Sequence, residues 1–220
     1  MKYMMALLIA TSVILSGCLT MPDPIDDVYL KEKTSEENVK LDKIGTDIIA
    51  KKKDKDVIEK DAEIAALKAE LSKKEVTEIS ATNASLEEKE KLYTATGDSK
   101  LAEIQKQKEA NNLKLIQAKA KQEYSTAKKD ETNALLEVKK SELAVKVAEL
   151  SYEKALIAKA YQMKRQKEYA KNMIDETDYK KFMDDQKIKL EDYQKEYQKA
   201  AKITSDAQEK LKNTGYEGDK

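Results

Sequence analysis

Residues 135–161 read LLEVKKSELAVKVAELSYEKALIAKAY. Leu136, Leu143, Leu150 and Ile157 fall seven apart, Val138, Val145 and Tyr152 make a second such row, and Leu135, Val147, Leu156 and Tyr161 fill the space between. Two rows at heptad spacing define a helix, and an apolar face this wide needs two neighbours to cover it. The stretch is therefore the central helix of a bundle, and its partners are to be found elsewhere in the chain.

Working outward, the breakers are few. Between Asp26 and Asn213 there is no proline, and the only glycines are Gly45 and Gly97. The residues between are mostly Lys, Glu, Ala, Leu and Gln, which favour helix. The interior stop is Thr94-Ala95-Thr96-Gly97-Asp98-Ser99, where Gly97 takes a left-handed cap conformation and Asp98 or Ser99 caps the next helix. Gly45 lies inside a continuing apolar series of Leu41, Ile44, Ile48 and Ile49 and is read as tolerated within a helix. A weaker break spans Asn172–Asp178, with cap formers at Asn172, Thr177 and Asp178. Helix one has two start signals, Asp23-Pro24 and the capping-box pair Thr34 and Glu37. The expected organisation is 18–34 as a tether with possible first helical turns, 35–95 as helix one, 98–172 as helix two, 177–213 as helix three and 214–220 as a flexible tail.

Helix three carries a coiled-coil seam: Met183, Leu190, Tyr197, Thr204 and Leu211 in one row, Tyr179, Gln186, Tyr193, Ala200 and Ala207 in the other. Val57, Ile64 and Leu71 predict a narrower seam in helix one. A reversal at Gly97 makes residues whose numbers total about 194 face each other, and a second reversal near Asp175 sets that total at about 350. On this register 135–161 meets roughly 33–59 and 189–215. The expected fold is all-α, an elongated antiparallel helical hairpin or coiled coil with a three-helix base and a two-helix arm of about 75 Å at 1.5 Å per residue. The arm, with Leu113, Ala120, Ala127 and Ala134 in its second strand, buries little apolar area. Helix is expected to exceed about three quarters of the chain that follows residue 17, against a typical third.

The amino terminus has another character. MKYMMALLIATSVILSGC runs from a single Lys2 through an uncharged stretch to Leu15-Ser16-Gly17-Cys18. That stretch is too short to cross a bilayer core of about 30 Å and fits a secretory signal. Leu15-Ser16-Gly17-Cys18 resembles the lipobox of bacterial lipoproteins. The resemblance implies cleavage of residues 1–17 between Gly17 and Cys18, acylation of Cys18 with palmitate-type chains, and attachment to a membrane through that residue. Leu19 in second place, rather than aspartate, implies the outer membrane in the sorting rule of enteric bacteria. Over a few residues, the tail ending in Lys220 resembles the peptidoglycan-linked end of the small major outer-membrane lipoprotein.

Composition excludes much chemistry. There is no histidine, one cysteine, no tryptophan and one phenylalanine, and 42 basic residues balance 42 acidic ones. Histidine triads, His-containing zinc sites and disulfide frameworks are thereby removed. Arg165 is the sole arginine and lysines alternate with carboxylates, so nucleic-acid recognition is not expected. The run Lys51-Lys52-Lys53-Asp54-Lys55 reads as a solvated helix face. Asp184-Asp185 and Asp175 with Asp178 are pairs that chance supplies in so acidic a chain. No phosphate loop, calcium loop or nucleophile elbow is present. Tyr179, Tyr193 and Tyr197 are assigned to seam packing, whereas Tyr161 and Tyr169 have no such place. No enzyme, cofactor, metal site or small-molecule substrate is expected.

The expected role is that of a lipid-anchored coiled-coil protein of the bacterial cell envelope, periplasmic or surface-exposed, serving as spacer, tether or assembly scaffold. Self-association, or contact with a protein partner through the coiled coil, goes with it. The alternative is a surface adhesin or chaperone-like clamp that holds a protein through the helical arm.

Overall fold

A computed structural model of the chain describes residues 21–165 and 173–216. Three α-helices account for nearly all of it: α1, Ser35–Thr96; α2, Leu101–Lys164; and α3, Glu176–Asn213. A single 3-10 turn, Asp27–Leu30, precedes them. Helix takes 89% of the described residues and there is no strand among them, so the fold is all-α with a hairpin arrangement of helices.

Each boundary has a local cause. At the start of α1 the Thr34 backbone N–H donates to Glu37 Oε2 at 2.6 Å and the Glu37 N–H donates back to Thr34 Oγ1 at 3.2 Å, a reciprocal capping box. Asp23-Pro24, the other candidate start, opens no helix; Asp26 instead caps the 3-10 turn through Val28 N–H at 2.9 Å. At the far end Gly97 sits at φ 68° and the Asp98 N–H reaches the Tyr93 carbonyl at 3.1 Å, a Schellman closure that favours a left-handed glycine. Asp98 then accepts from Lys100 N–H at 2.9 Å and starts α2. The cap of α3 falls on Asp175, which accepts from Thr177 N–H at 2.9 Å. Its hydrogen bonds from Thr177 hold the Asp175 carboxyl below its ordinary range.

The chain divides into two compact units: residues up to Glu59 with Leu135–Glu196, and Lys60–Ala134 with Tyr197 onward. In the first unit α2 is the centre. No residue from 134 to 159 is exposed, and Leu143, Ala148, Ala155 and Ala158 are essentially inaccessible. Ile44 and Ile48 of α1 pack on Leu143 and Val147, while Phe182 and Met183 of α3 pack on Ala148. The expectation of two neighbours for 135–161 is met. Its charged residues are pulled into pairs at the helix margins: Lys51 with Glu142 at 2.7 Å, Lys40 with Glu153 at 2.7 Å, and Lys159 with Glu176.

In the second unit α1 and α2 keep the expected register, with Lys121 paired to Glu75 at 3.2 Å and Lys108 to Glu90 at 2.7 Å. Asn111 donates to Asn83 Oδ1 at 2.6 Å and to the Ile79 carbonyl at 3.1 Å, and Asn83 donates to Asn112 Oδ1 at 2.8 Å.

The register of α3 differs from the expectation. Thr204 Oγ1 donates to the Ala127 carbonyl at 3.0 Å, Lys210 pairs with Glu123, and Gln117 Nε2 donates to the Thr214 carbonyl at 3.2 Å. These numbers total about 331 to 333 rather than 350, because α2 already ends at Lys164 and the reversal is centred before Asp175. The section of α2 from 117 to 134, expected in a two-helix arm, therefore has α3 as a second partner beside α1. Residues 214–216 of the expected tail are held too, with Gly215 at φ 75° ending α3 and Lys121 Nζ 5.6 Å above the Tyr216 ring. Residues 166–172, assigned above to helix two, and 217–220 lie outside the described residues.

Of the α3 seam, Tyr179, Met183, Gln186, Thr204 and Leu211 are buried and the other five positions half-buried, while Phe182, outside both rows, is buried as well. The α1 seam departs from the expectation. Val57, Ile64 and Leu71 are 51%, 50% and 63% exposed, and the buried positions are Ala62, Ala65, Ser72 and Leu86. Heptad spacing counted from Ile44 and Ile48 arrives at these small residues, leaving the larger aliphatics one position out of phase on the outer surface.

Candidate functional site

Gly17 and Cys18, the cleavage and acylation residues implied by the lipobox, lie outside the described residues. What the structure does place is the segment that follows them. Met21 to Leu30 is not a free tether but a strap laid into the first unit.

Its apolar residues bury in sequence. Ile25 and Leu30 join Ala155, Ile157, Ala158 and Tyr179 in one core cluster, against which Tyr29, Leu41, Tyr152 and Ile174 also pack. Four residues before Ile25, Met21 packs both on the cluster of Ile44, Ile48, Leu143 and Val147 and on that of Ala148, Phe182 and Met183. One side chain thus joins two clusters that between them draw on all three helices. The fully buried Ala148, Ala155 and Ala158 explain why the strap fits: larger side chains on that face of α2 would fill the space that Met21, Ile25 and Leu30 share with them.

Polar contacts fasten the strap at several points. The Tyr179 hydroxyl donates to the Asp23 carbonyl at 2.7 Å, and burial pushes its pKa upward, with the charges of Asp23 and Asp178 adding to the rise. Tyr29 meets Tyr161 edge to face, centroids 6.0 Å apart. Arg165 lies 4.9 Å over the Tyr161 ring and donates to Glu32 at 2.6 Å, so the sole arginine closes the bend between strap and α1. Gln162, fully buried, accepts from the Ile174 N–H at 2.7 Å and fixes the chain as it enters α3. Beside the 3-10 turn, burial pushes the Lys154 amine below its ordinary pKa; Asp27 acts against this and Lys33 with it.

The strap is hard to see in the sequence because Asp23-Pro24 reads as a helix start. Its signal is Ile25, Tyr29 and Leu30, which turn inward among Asp23, Asp26 and Asp27 while Val28 stays exposed. Tyr161, which the sequence sets at the end of the wide apolar face but not in a seam, is the ring that Tyr29 and Arg165 share. Tyr169 lies outside the described residues.

The other candidate groups do not converge. Lys51 and Lys55 of the lysine run are committed to Glu142 and to Asp56 and Glu59. Asp175 serves as a cap. Among the described residues no group of three or more His, Cys, Asp or Glu side chains is arranged to hold a metal ion, and every buried side-chain nitrogen and oxygen has a partner. No helix among them is long and apolar enough to cross a membrane.

The fold and the strap define a class, an all-α helical bundle whose amino-terminal segment is built into its core. Compared with protein families, curated proteins and solved structures, the chain matches none.

Proposed function

We propose that the protein is a lipid-anchored helical component of the bacterial cell envelope, held to the outer membrane through acylated Cys18 and acting as a structural spacer, tether or assembly scaffold. The observation that carries this reading is Leu15-Ser16-Gly17-Cys18, three residues ahead of a strap whose first described residue, Met21, packs against two core clusters of the first unit. An anchor fixed to such a strap transmits force to the bundle directly, without an intervening flexible stalk. The role is mechanical: acyl chains supply about 0.8 kcal/mol per buried CH₂, and more than one chain makes attachment stable. Palmitate labelling of the wild type and of Cys18→Ala, followed by protease treatment of intact cells, tests the anchor and the side of the membrane. Label persisting in Cys18→Ala would sink the reading.

A second reading, capture of a protein partner in the manner of an adhesin or clamp, draws on one observation in the second unit. Ile64, Leu67 and Leu71 stand 50–63% exposed at helical spacing on α1, a row that no other described segment covers. Replacing the three by glutamine would abolish partner capture on this reading and leave anchoring untouched.

A further inference from the structure

The position of the strap has a consequence for how the protein meets the membrane. We propose that the first unit faces the lipid surface along the flank that bears the strap, and not at the end where α2 gives way to α3. This inference rests on the reading of Cys18 as the acylated residue.

The strap runs toward that end of the unit as the chain proceeds. Ile25 and Leu30 pack at the level of Ala155 and Ala158, whereas Met21 packs at the level of Val147 and Ala148. Traced backward, the chain therefore leads away from the end of α2 at Lys164. From Ala148 to Lys164 the helix rises about 24 Å at 1.5 Å per residue. Met21 is three Cα–Cα steps from Cys18, and even fully extended these span at most about 11 Å. With Met21 seated, Cys18 itself stays at least about 13 Å short of the end of α2, so acyl chains directed past that end would spend most of their length outside the bilayer, and entry beside the unit buries them fully. An upright stance would require Met21 to leave the two clusters on which it packs.

The outer side of the strap carries Asp23, Asp26 and Asp27, all exposed. These carboxylates repel an anionic surface, so the approach is imposed by the short tether and not by charge. Protein lacking the acyl chains is accordingly expected to stay off the same vesicles.

The test uses full-length lipidated protein in phosphatidylethanolamine and phosphatidylglycerol vesicles, with palmitate incorporation verified in the same preparation. Because acylation blocks Cys18, a single nitroxide can be placed at Val28→Cys on the strap or at Met163→Cys near the end of α2; both positions are exposed. Relaxation by a nickel-chelating lipid reports distance to the headgroups. The expected result is severalfold stronger relaxation at Val28 than at Met163, with the difference collapsing in Ile25→Asp, which unseats the strap. Equal or stronger relaxation at Met163 in the wild-type background overturns the proposal while leaving the lipid anchor intact. Absence of palmitate at Cys18 overturns the anchor itself and this inference with it.

Discussion

The Tyr179 hydroxyl donates a 2.7 Å hydrogen bond to the carbonyl of Asp23, 156 residues earlier in the chain. It joins the first described stretch to α3 and closes the strap over the face of α2 that carries Ala155 and Ala158. Tyr179→Phe keeps the ring and loses the bond, so it should lower stability by about 0.5–1.5 kcal/mol. Tyr179→Ala removes the packing as well and should cost about 3–5 kcal/mol. Amide exchange gives the sharper readout: in Tyr179→Phe, protection should fall first at residues 23–30 and not in α2. Uniform loss along the chain would show that the bond has no local role.

The small residues of α2 make an opposite demand. Ala155 is fully buried where the strap crosses, and Ala155→Leu introduces extra carbons into occupied space. Overpacking of this kind costs about 1–3 kcal/mol. Ile49, by contrast, is 71% exposed, and Ile49→Ala should change stability by no more than about 0.5 kcal/mol. Urea midpoints for the two variants check the pair. A silent Ala155→Leu would mean that the strap yields without loss.

Much of this architecture was legible, and the reasons are specific. The double apolar row of 135–161 required two neighbours whatever the connecting turns, and the only left-handed glycine between the first two helices, Gly97, fixed the register of α1 on α2. The α3 seam was likewise readable, since Tyr179 and Gln186, and Met183, Thr204 and Leu211, are buried on the two heptad rows, although Phe182 is buried outside them. Three features escaped. The register of α3 depended on where α2 stops, and no glycine or proline marks that point. The α1 seam followed the heptad of Ile44 and Ile48 onto Ala62 and Ala65, although bigger side chains lay one position away. Nor does helical periodicity speak for a non-helical strap, whose burial depends on three residues in an acidic run.

Asparagines hold the thinly packed section of the second unit. Asn111 donates to both Asn83 and the Ile79 carbonyl, and Asn83 donates to Asn112. A polar group of this kind in a helical seam specifies register at some cost in stability. Asn111→Ala leaves the Asn83 carbonyl oxygen without that donor and should destabilise by about 1 kcal/mol. Asn83→Leu with Asn111→Leu should recover or exceed wild-type stability while broadening the distance distribution between spin labels on α1 and α2. A narrow distribution in the double variant would remove the asparagines' claim to set register.

Acid should act on the first unit through Glu142. Burial pushes its carboxyl upward, but hydrogen bonds and charges from Lys51 and Lys139 outweigh this and hold it below the ordinary glutamate range. Its pKa is therefore lower in the folded than in the unfolded chain, whose value is about 4.3. Above that pH the folded state keeps the whole benefit of the charged pair. As the pH falls through the folded pKa, protonation removes it, because the unfolded chain binds its proton first. The stability of the wild type should decline below about pH 4.3, and Glu142→Gln should be less stable at pH 7 yet converge on the wild type as acid is added. Asp175 and Glu176, also held low by their hydrogen-bond partners, add to the decline in both proteins and cancel in the comparison. Urea denaturation of the two proteins at about pH 7 and about pH 3 measures the convergence, and a difference that grows in acid would reverse the sign assigned to Glu142.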